Sequence, residues 1–522
     1  MSQKRQASTS APRKRRKTTG RPFGGGSDEV PTPQSQANQP SSSGWSTRTV
    51  GTSGVPSLSA LCIRAFVDNL PRFSAKPELW DAVKPWLTLL PDNLIPRVFT
   101  TARNAYPSLL THPVISTYFL RGPSITLSGN LGVTRFTLSA LAAAESKQYL
   151  RQLELSDLTK IPDEVFANVV SHLPSVEVLI LRGCSKVGQK TVSAVAKHCP
   201  KLTKLNLNYT SVIPVSLAPV LQNCKALGVL KMAGISSWTD TTVSKLWSVL
   251  GADSDDSKFV VPNIYSLNIR QTPITDSVVD EILTICPNIR RLDLSFTNIK
   301  HPPLLLSHKG FEKLSLTSTR IPSTHLVNIL SDLPNLKSLS LGAQGGGQGS
   351  SASVTNSTAM TLNDQTLRQL TDILENYSTL ENISLVGNTK LGFSSKRSDS
   401  ALADFIRKVG RRCISLNMAN ITNLSSPHLE GLLAEDEQGP PRLRTLILNN
   451  TSVGDDAAPY ISACSELNTL ELAGTKFSSV GLFPIIDACT KLEQLNLTSC
   501  RGVPVGDRRR FFEVWEEEWK NR

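Results

Sequence analysis

The histidines, cysteines and carboxylates of this 522-residue chain are not spaced for catalysis or metal binding. No His-Glu-x-x-His occurs, and His198, His301, His308 and His325 stand apart with no carboxylate at motif spacing. The nine cysteines never form Cys-x-x-Cys, the spacing on which a structural zinc site is built. Gly345-Gly346-Gly347-Gln348-Gly349 lacks the Lys-Ser/Thr with which a glycine loop holds phosphate. The expectation is a chain with no catalytic residue, no metal and no cofactor, whose chemistry is recognition.

Residues suited to recognition are present. Leu58, Cys62 and Phe66 stand at i, i+4 and i+8, with Leu61 and Ala65 beside them, so a helix would gather them on one stripe. A small cysteine between two large apolar side chains lets a partner approach that stripe closely. Leu90-Pro91-x-x-Leu94 follows about thirty residues on. Near the start, Arg13-Lys14-Arg15-Arg16-Lys17 reads as a nuclear-import signal or a nucleic-acid-contacting arm, and the two stay open. Of the net charge of +13, the first 22 residues hold +8 with no acid among them, so a basic tail precedes a nearly balanced body.

The elements that must position these residues come from a repeat. Leu-x-x-Leu-x-Leu recurs about thirteen times between Leu150 and Leu497, as at Leu202/Leu205/Leu207, Ile289/Leu292/Leu294 and Leu467/Leu470/Leu472. A unit of about 25 residues is one strand and one helix and cannot bury its apolar face alone; stacked copies can. The expected fold is α/β, a leucine-rich repeat solenoid shaped as a horseshoe. The expected divisions are a disordered basic tail over 1–55, a small helical module over 56–147, the solenoid over 148–506 and a capping helix over 507–522. That last helix would place Phe512, Trp515 and Trp519 on one face. Gly251–Lys258, Gly342–Thr358 and Gly392–Asp399 read as insertions. Thr275 is the expected N-cap of the helix that ends at Cys286.

Cys199, Cys224, Cys286, Cys464 and Cys489 share one frame, three residues before the first leucine-type position of the next copy, which predicts small buried side chains rather than disulfides. The outward strand positions between the third and seventh copies include Lys204, Tyr209, Lys231, Arg270, Arg291, Phe296 and Lys313. They make a basic and aromatic band on the concave face, suited to an acidic protein target. No apolar run reaches the length of a membrane span, and no secretory leader opens the chain, so membrane contact is not expected.

Ser57-Leu58-x-x-x-Cys62-x-x-x-Phe66 resembles an elongin-C-binding box, with Phe66 standing where the family prefers an aliphatic residue. The order of box, Leu-Pro-x-x-Leu and leucine-rich repeats is similar to the PRAME-type and ZYG-type receptors of elongin–cullin ubiquitin ligases. It also resembles the fungal leucine-rich repeat protein of nucleotide excision repair. The resemblance implies a substrate receptor, and with the basic run it is expected in the nucleus, with the cytoplasm left open as a second location. Leu58, Leu61, Cys62 and Phe66 would contact the adaptor, and Leu90, Pro91 and Leu94 a cullin. An F-box beginning at Leu90 is the competing reading, with a Skp-type adaptor in place of elongin C. Against it, Pro96 removes a helical N–H early and no Trp-rich ending follows. A scaffold in chromatin or DNA repair, with the tail on nucleic acid, is the reading from a different class.

Overall fold

The computed structural model describes residues 45–47, 57–251, 259–303, 305, 308–331, 333–343, 361–393, 400–433, 439–504 and 506–508. The expected capping helix therefore lies almost wholly outside the described residues, as do most of the three insertions and the import run.

Four helices come first: α1 (Leu58–Ala75), α2 (Pro77–Leu89), α3 (Ile95–Ala105) and α4 (His112–Tyr118). The strands are β1 (Trp45–Thr47), β2 (Ser124–Ser128), β3 (Gln152–Ser156), β4 (Val178–Ile180), β5 (Lys204–Asn206), β6 (Val229–Lys231), β7 (Ser266–Asn268) and β8 (Arg291–Asp293). They continue as β9 (Lys313–Ser315), β10 (Ser338–Ser340), β11 (Asn382–Ser384), β12 (Ser415–Asn417), β13 (Thr445–Ile447), β14 (Thr469–Glu471) and β15 (Gln494–Asn496). All fifteen form one sheet, in the order β1, then β15 down to β2. From β2 to β15 every pairing is parallel and unshifted, so Leu205, Leu230, Leu267, Leu292 and Leu314 are direct neighbours across the sheet. Each of these ladder leucines is at most 5% exposed, a burial that stabilises by about 1.5–3 kcal/mol per side chain. Strands need about 4.8 Å per repeat and packed helices about 8–10 Å, so the strand face is the shorter, concave side of the arc.

Two boundaries differ from expectation. Trp45–Thr47, inside the stretch expected to stay unfolded, pairs antiparallel with β15. The outer edge of the last strand is thus covered by the chain's own N-terminal segment. The second difference is an extra repeat. Within 56–147, β2 and helix α5 (Arg135–Ala143) continue the sheet and its helical layer, so fourteen parallel strands replace the expected thirteen. Gly122, at φ +98°, stands where other copies carry the first leucine, which hides this repeat from the pattern.

The turn after each strand has a constant geometry. Four residues beyond the ladder leucine the backbone is left-handed in twelve repeats, from Asp157 (φ 58°) through Tyr209, Phe296 and Asn450 to Ser499 (φ 61°). Glycine is the low-strain choice there, yet only Gly183, Gly234, Gly387 and Gly474 use it. A left-handed tyrosine or phenylalanine costs about 1 kcal/mol or more. The stacked repeats impose it.

Helix starts are stapled between repeats by aspartates. Asp163 accepts from the backbone N–H groups of Gly188 and Lys190, both at 2.9 Å, and from the Thr191 hydroxyl at 2.5 Å. Asp276, Asp364 and Asp455 reach the following repeat in the same way. Thr275 occupies the N-cap position but does not cap: its hydroxyl donates to Asp240 at 2.6 Å, so the inter-repeat staple outcompetes the local cap. Asp163→Ala should lower unfolding stability by about 2 kcal/mol, the scale of charge-assisted hydrogen bonds lost together. Urea denaturation would measure it, and Glu164→Ala, which removes only an exposed pair with Lys190, should shift the curve little.

Candidate recognition surfaces

Helix α1 begins at Ser57, whose hydroxyl accepts from the Ala60 N–H at 3.3 Å. Two apolar rows run along it. Ile63, Val67 and Leu70 are buried, and α1 packs on α2 and α3. The other row faces outward: Leu58 is 79% exposed, Leu61 45%, and Cys62 and Ala65 are exposed as well. Phe66 lies between the rows, half buried, with its ring 5.9 Å from that of Phe73. The module is seated on the solenoid through α3 against β2 and α4 against α5.

Of the residues expected to meet a cullin, Pro91 is exposed while Leu90 and Leu94 are half buried, Leu90 against the core. Helix α3 starts at Ile95, with Pro96 in its first turn. A first-turn N–H has no intrahelical acceptor, so the proline fits, and the sequence argument from Pro96 against an F-box falls. A pair that sequence reasoning did not single out lies on α2: Trp86 and Leu89 are each 73% exposed. For Leu89 the signal was available, because Trp80, Val83 and Leu87 take the inward face at i, i+3 and i+7 and leave Leu89 opposite, with Trp86 at the flank of that face.

The cysteines divide sharply. Eight are buried, and burial pushes the thiols of Cys184, Cys199, Cys286, Cys413 and Cys464 up to about 12, and those of Cys224 and Cys489 to about 11. Cys224 donates to the Cys199 carbonyl and Cys489 to that of Cys464, each at 3.5 Å, linking neighbouring repeats. Cys62 alone is exposed. Native protein treated with maleimide near pH 7 should take up one equivalent, at Cys62, and the other eight sites should label only after unfolding. Intact-mass measurement with peptide mapping checks this.

On the concave face, the strands present Lys204, Lys231, Arg291 and Lys313, and the turns add Tyr209, Arg270 and Phe296. The turn residues lock across repeats. The Tyr209 ring lies over Gly234, where a Cβ would come within 2.3 Å of it, and its hydroxyl donates to Gln271 Oε1 at 2.7 Å. The Arg270 guanidinium stacks 4.7 Å from the Phe296 ring centroid, and Arg270 Nε is buried without a hydrogen-bond partner among the described residues. Arg291 is exposed. Between these cations sits Asp293, whose carboxyl is raised by burial against the pull of the Ser295 hydrogen bond, Arg270 and Lys231. Burial lowers Lys313. The band expected from sequence is therefore one contiguous surface over β5–β9.

A separate cleft of about 760 Å3 is lined by Arg407, Arg411, Arg412 and Arg442. Two of its arginines serve the fold: Arg411 donates to the carbonyls of Leu433 and Gly439, and Arg412 to those of Leu374 and Glu375. Among the described residues no group of three or more His, Cys, Asp or Glu side chains could hold a metal ion. None of their helices is long and apolar enough to cross a membrane.

The unshifted ladder of parallel strands backed by helices defines a leucine-rich repeat protein. No family model matches the chain. It is 35% identical over 107 residues to the antagonist of mitotic exit network protein 1 of Eremothecium gossypii, over 19% of this chain and 25% of that protein. It is 23% identical over 194 residues to the BTB/POZ domain-containing protein FBL11 of Arabidopsis thaliana, over 36% of this chain and 20% of that protein. The matches thus span a quarter or less of either relative. Among solved structures, the Rad7–Elc1 complex of yeast is similar at TM-score 0.43 and 17% identity, over 82% of this chain and 96% of that one. An internalin of Listeria monocytogenes is similar at TM-score 0.37 and 16% identity, over 78% and 94%.

Proposed function

We propose that this chain is the non-catalytic substrate-recognition subunit of a nuclear cullin–RING ubiquitin ligase. The outward row of α1, with Leu58, Leu61 and Cys62 and flanked by Phe66, holds an elongin-C-type adaptor. Leu90, Pro91 and Leu94 meet the cullin, and the concave band selects the target protein. Arg13–Lys17 directs nuclear import. The reaction is promoted by proximity, since holding the target beside a recruited conjugating enzyme raises the effective concentration of its lysines.

The observation that carries this reading is the exposed apolar row on a helix whose opposite row is already buried. A monomer gains nothing by keeping Leu58 and Leu61 in water, whereas helix-in-groove recognition uses such a row at i, i+3 and i+4. Recombinant elongin C and a Skp-type adaptor, offered separately to the immobilised full chain, test it. Elongin C should be retained by the wild type and lost by the double variant Leu58→Ala, Cys62→Ala with an unchanged circular dichroism spectrum. Undiminished recovery by that variant, or capture of the Skp-type adaptor instead, overturns the elongin assignment.

A further inference from the structure

From β5 to β15, positive charge at the outward strand positions is confined to one half. At the two outward positions flanking the ladder residue, β5–β9 carry Lys204, Lys231, Arg291 and Lys313, and the adjoining turn adds Arg270. The same positions in β10–β15 carry no lysine or arginine and a single acid, Glu471. Five cations therefore span four strand spacings, about 19 Å, and an extended chain crosses that distance in about six residues.

Resting on the reading of this face as the target site, we infer that it binds an extended acidic segment of the target, about six residues long, lying across β5–β9. Asp293 is the one acid at these positions within the band. Its place argues against a polyphosphate backbone, whose unbroken negative charge would have to pass a carboxyl group at the middle of the band. A peptide can set a neutral residue there. The aromatic rings point the same way: Phe296 already has Arg270 on its ring and Tyr209 lies against Gly234, so neither offers two open faces to a stacked base. Arg270, half buried with its guanidinium held flat by Phe296, has its side chain already ordered to take a carboxylate oxygen.

Fluorescein-labelled decaglutamate, titrated by anisotropy into the full chain at low salt, is the test. Arg291→Glu, at an exposed side chain, should weaken binding about threefold. Arg270→Glu with Arg291→Glu should weaken it at least tenfold, and Asp293→Asn should tighten it about threefold. Thr445→Glu, more than a Debye length away in the neutral half, should change it less than twofold. The unfolding midpoint of each variant confirms that the fold persists. Undiminished binding by the double reversal, as attraction to the basic tail alone would give, overturns the proposal. So does a deoxythymidine decamer that binds more tightly than the peptide and is lost with the same variants. Elongin C retention by the double reversal is measured in parallel. Loss of peptide with retained adaptor supports this inference, and peptide binding without any adaptor retention refutes the ligase reading while leaving this one standing.

Discussion

Leu58→Asp should leave the unfolding midpoint within about 1 °C of the wild type and lower elongin C affinity about a hundredfold. Ile63→Asp, five residues on, should instead destabilise the module by about 4 kcal/mol or more. The two residues lie on opposite rows of one helix, and their environments differ as the outcomes do: Leu58 is 79% exposed and Ile63 is 8% exposed. A carboxylate at Leu58 stays hydrated in the free protein and is dehydrated only when a partner's groove closes over it. Its cost therefore falls on binding, where an apolar anchor is worth about 3 kcal/mol. At Ile63 the charge is dehydrated by folding itself. Calorimetric titration of elongin C against each variant, beside thermal unfolding, separates the two. Equal loss of stability in both variants would mean the outward row is packed in solution, and equal affinity in Leu58→Asp and wild type would remove the row from the adaptor site.

The two rows also show what could and could not be read from the residues. Helical periodicity groups Leu58 with Cys62 and Phe66, and equally groups Ile63 with Val67 and Leu70. Which row faces the solenoid depends on α3 and β2, whose arrangement no local pattern contains. The leucine ladder was legible because every copy repeats the same strand, and the framed cysteines because they repeat with it. The repeat at β2 was not, because Gly122 replaces the leucine that would announce it. Nor was β1: three residues, Trp-Ser-Thr, carry no periodicity, and their partner strand lies about 450 positions further along the chain. Thr275 illustrates the same limit, since a sound local cap gives way to Asp240 from the preceding repeat. The concave cations were found because strand alternation turns their positions outward. The locking of Tyr209 against Gly234 and Gln271 depends on left-handed turns that neither a tyrosine nor a glutamine announces.

The largest loss of stability from a simple truncation is expected at Phe311. It occupies the first leucine-type position of its repeat, where most other copies hold an aliphatic residue. It is fully buried, with its ring centroid 4.4 Å from that of His308. The His308 ring is itself fixed by a 2.7 Å hydrogen bond from its Nε2 to the Ile289 carbonyl. Phe311→Ala removes the whole ring just ahead of β9, a strand that the sheet register holds between β8 and β10. Such a site cannot collapse, so the cost should approach the upper part of the range for phenylalanine truncation, about 4 kcal/mol. Because each repeat contacts mainly its neighbours, the effect should be local in a way a globular core would not allow. Hydrogen exchange should speed most at Leu292, Leu314 and Leu339, on the three strands around the cavity, and much less at Leu470 near the far end. A uniform acceleration through all fourteen parallel strands would show instead that the solenoid unfolds as one unit. Phe311→Leu, which restores the consensus residue, should recover more than half of the lost stability.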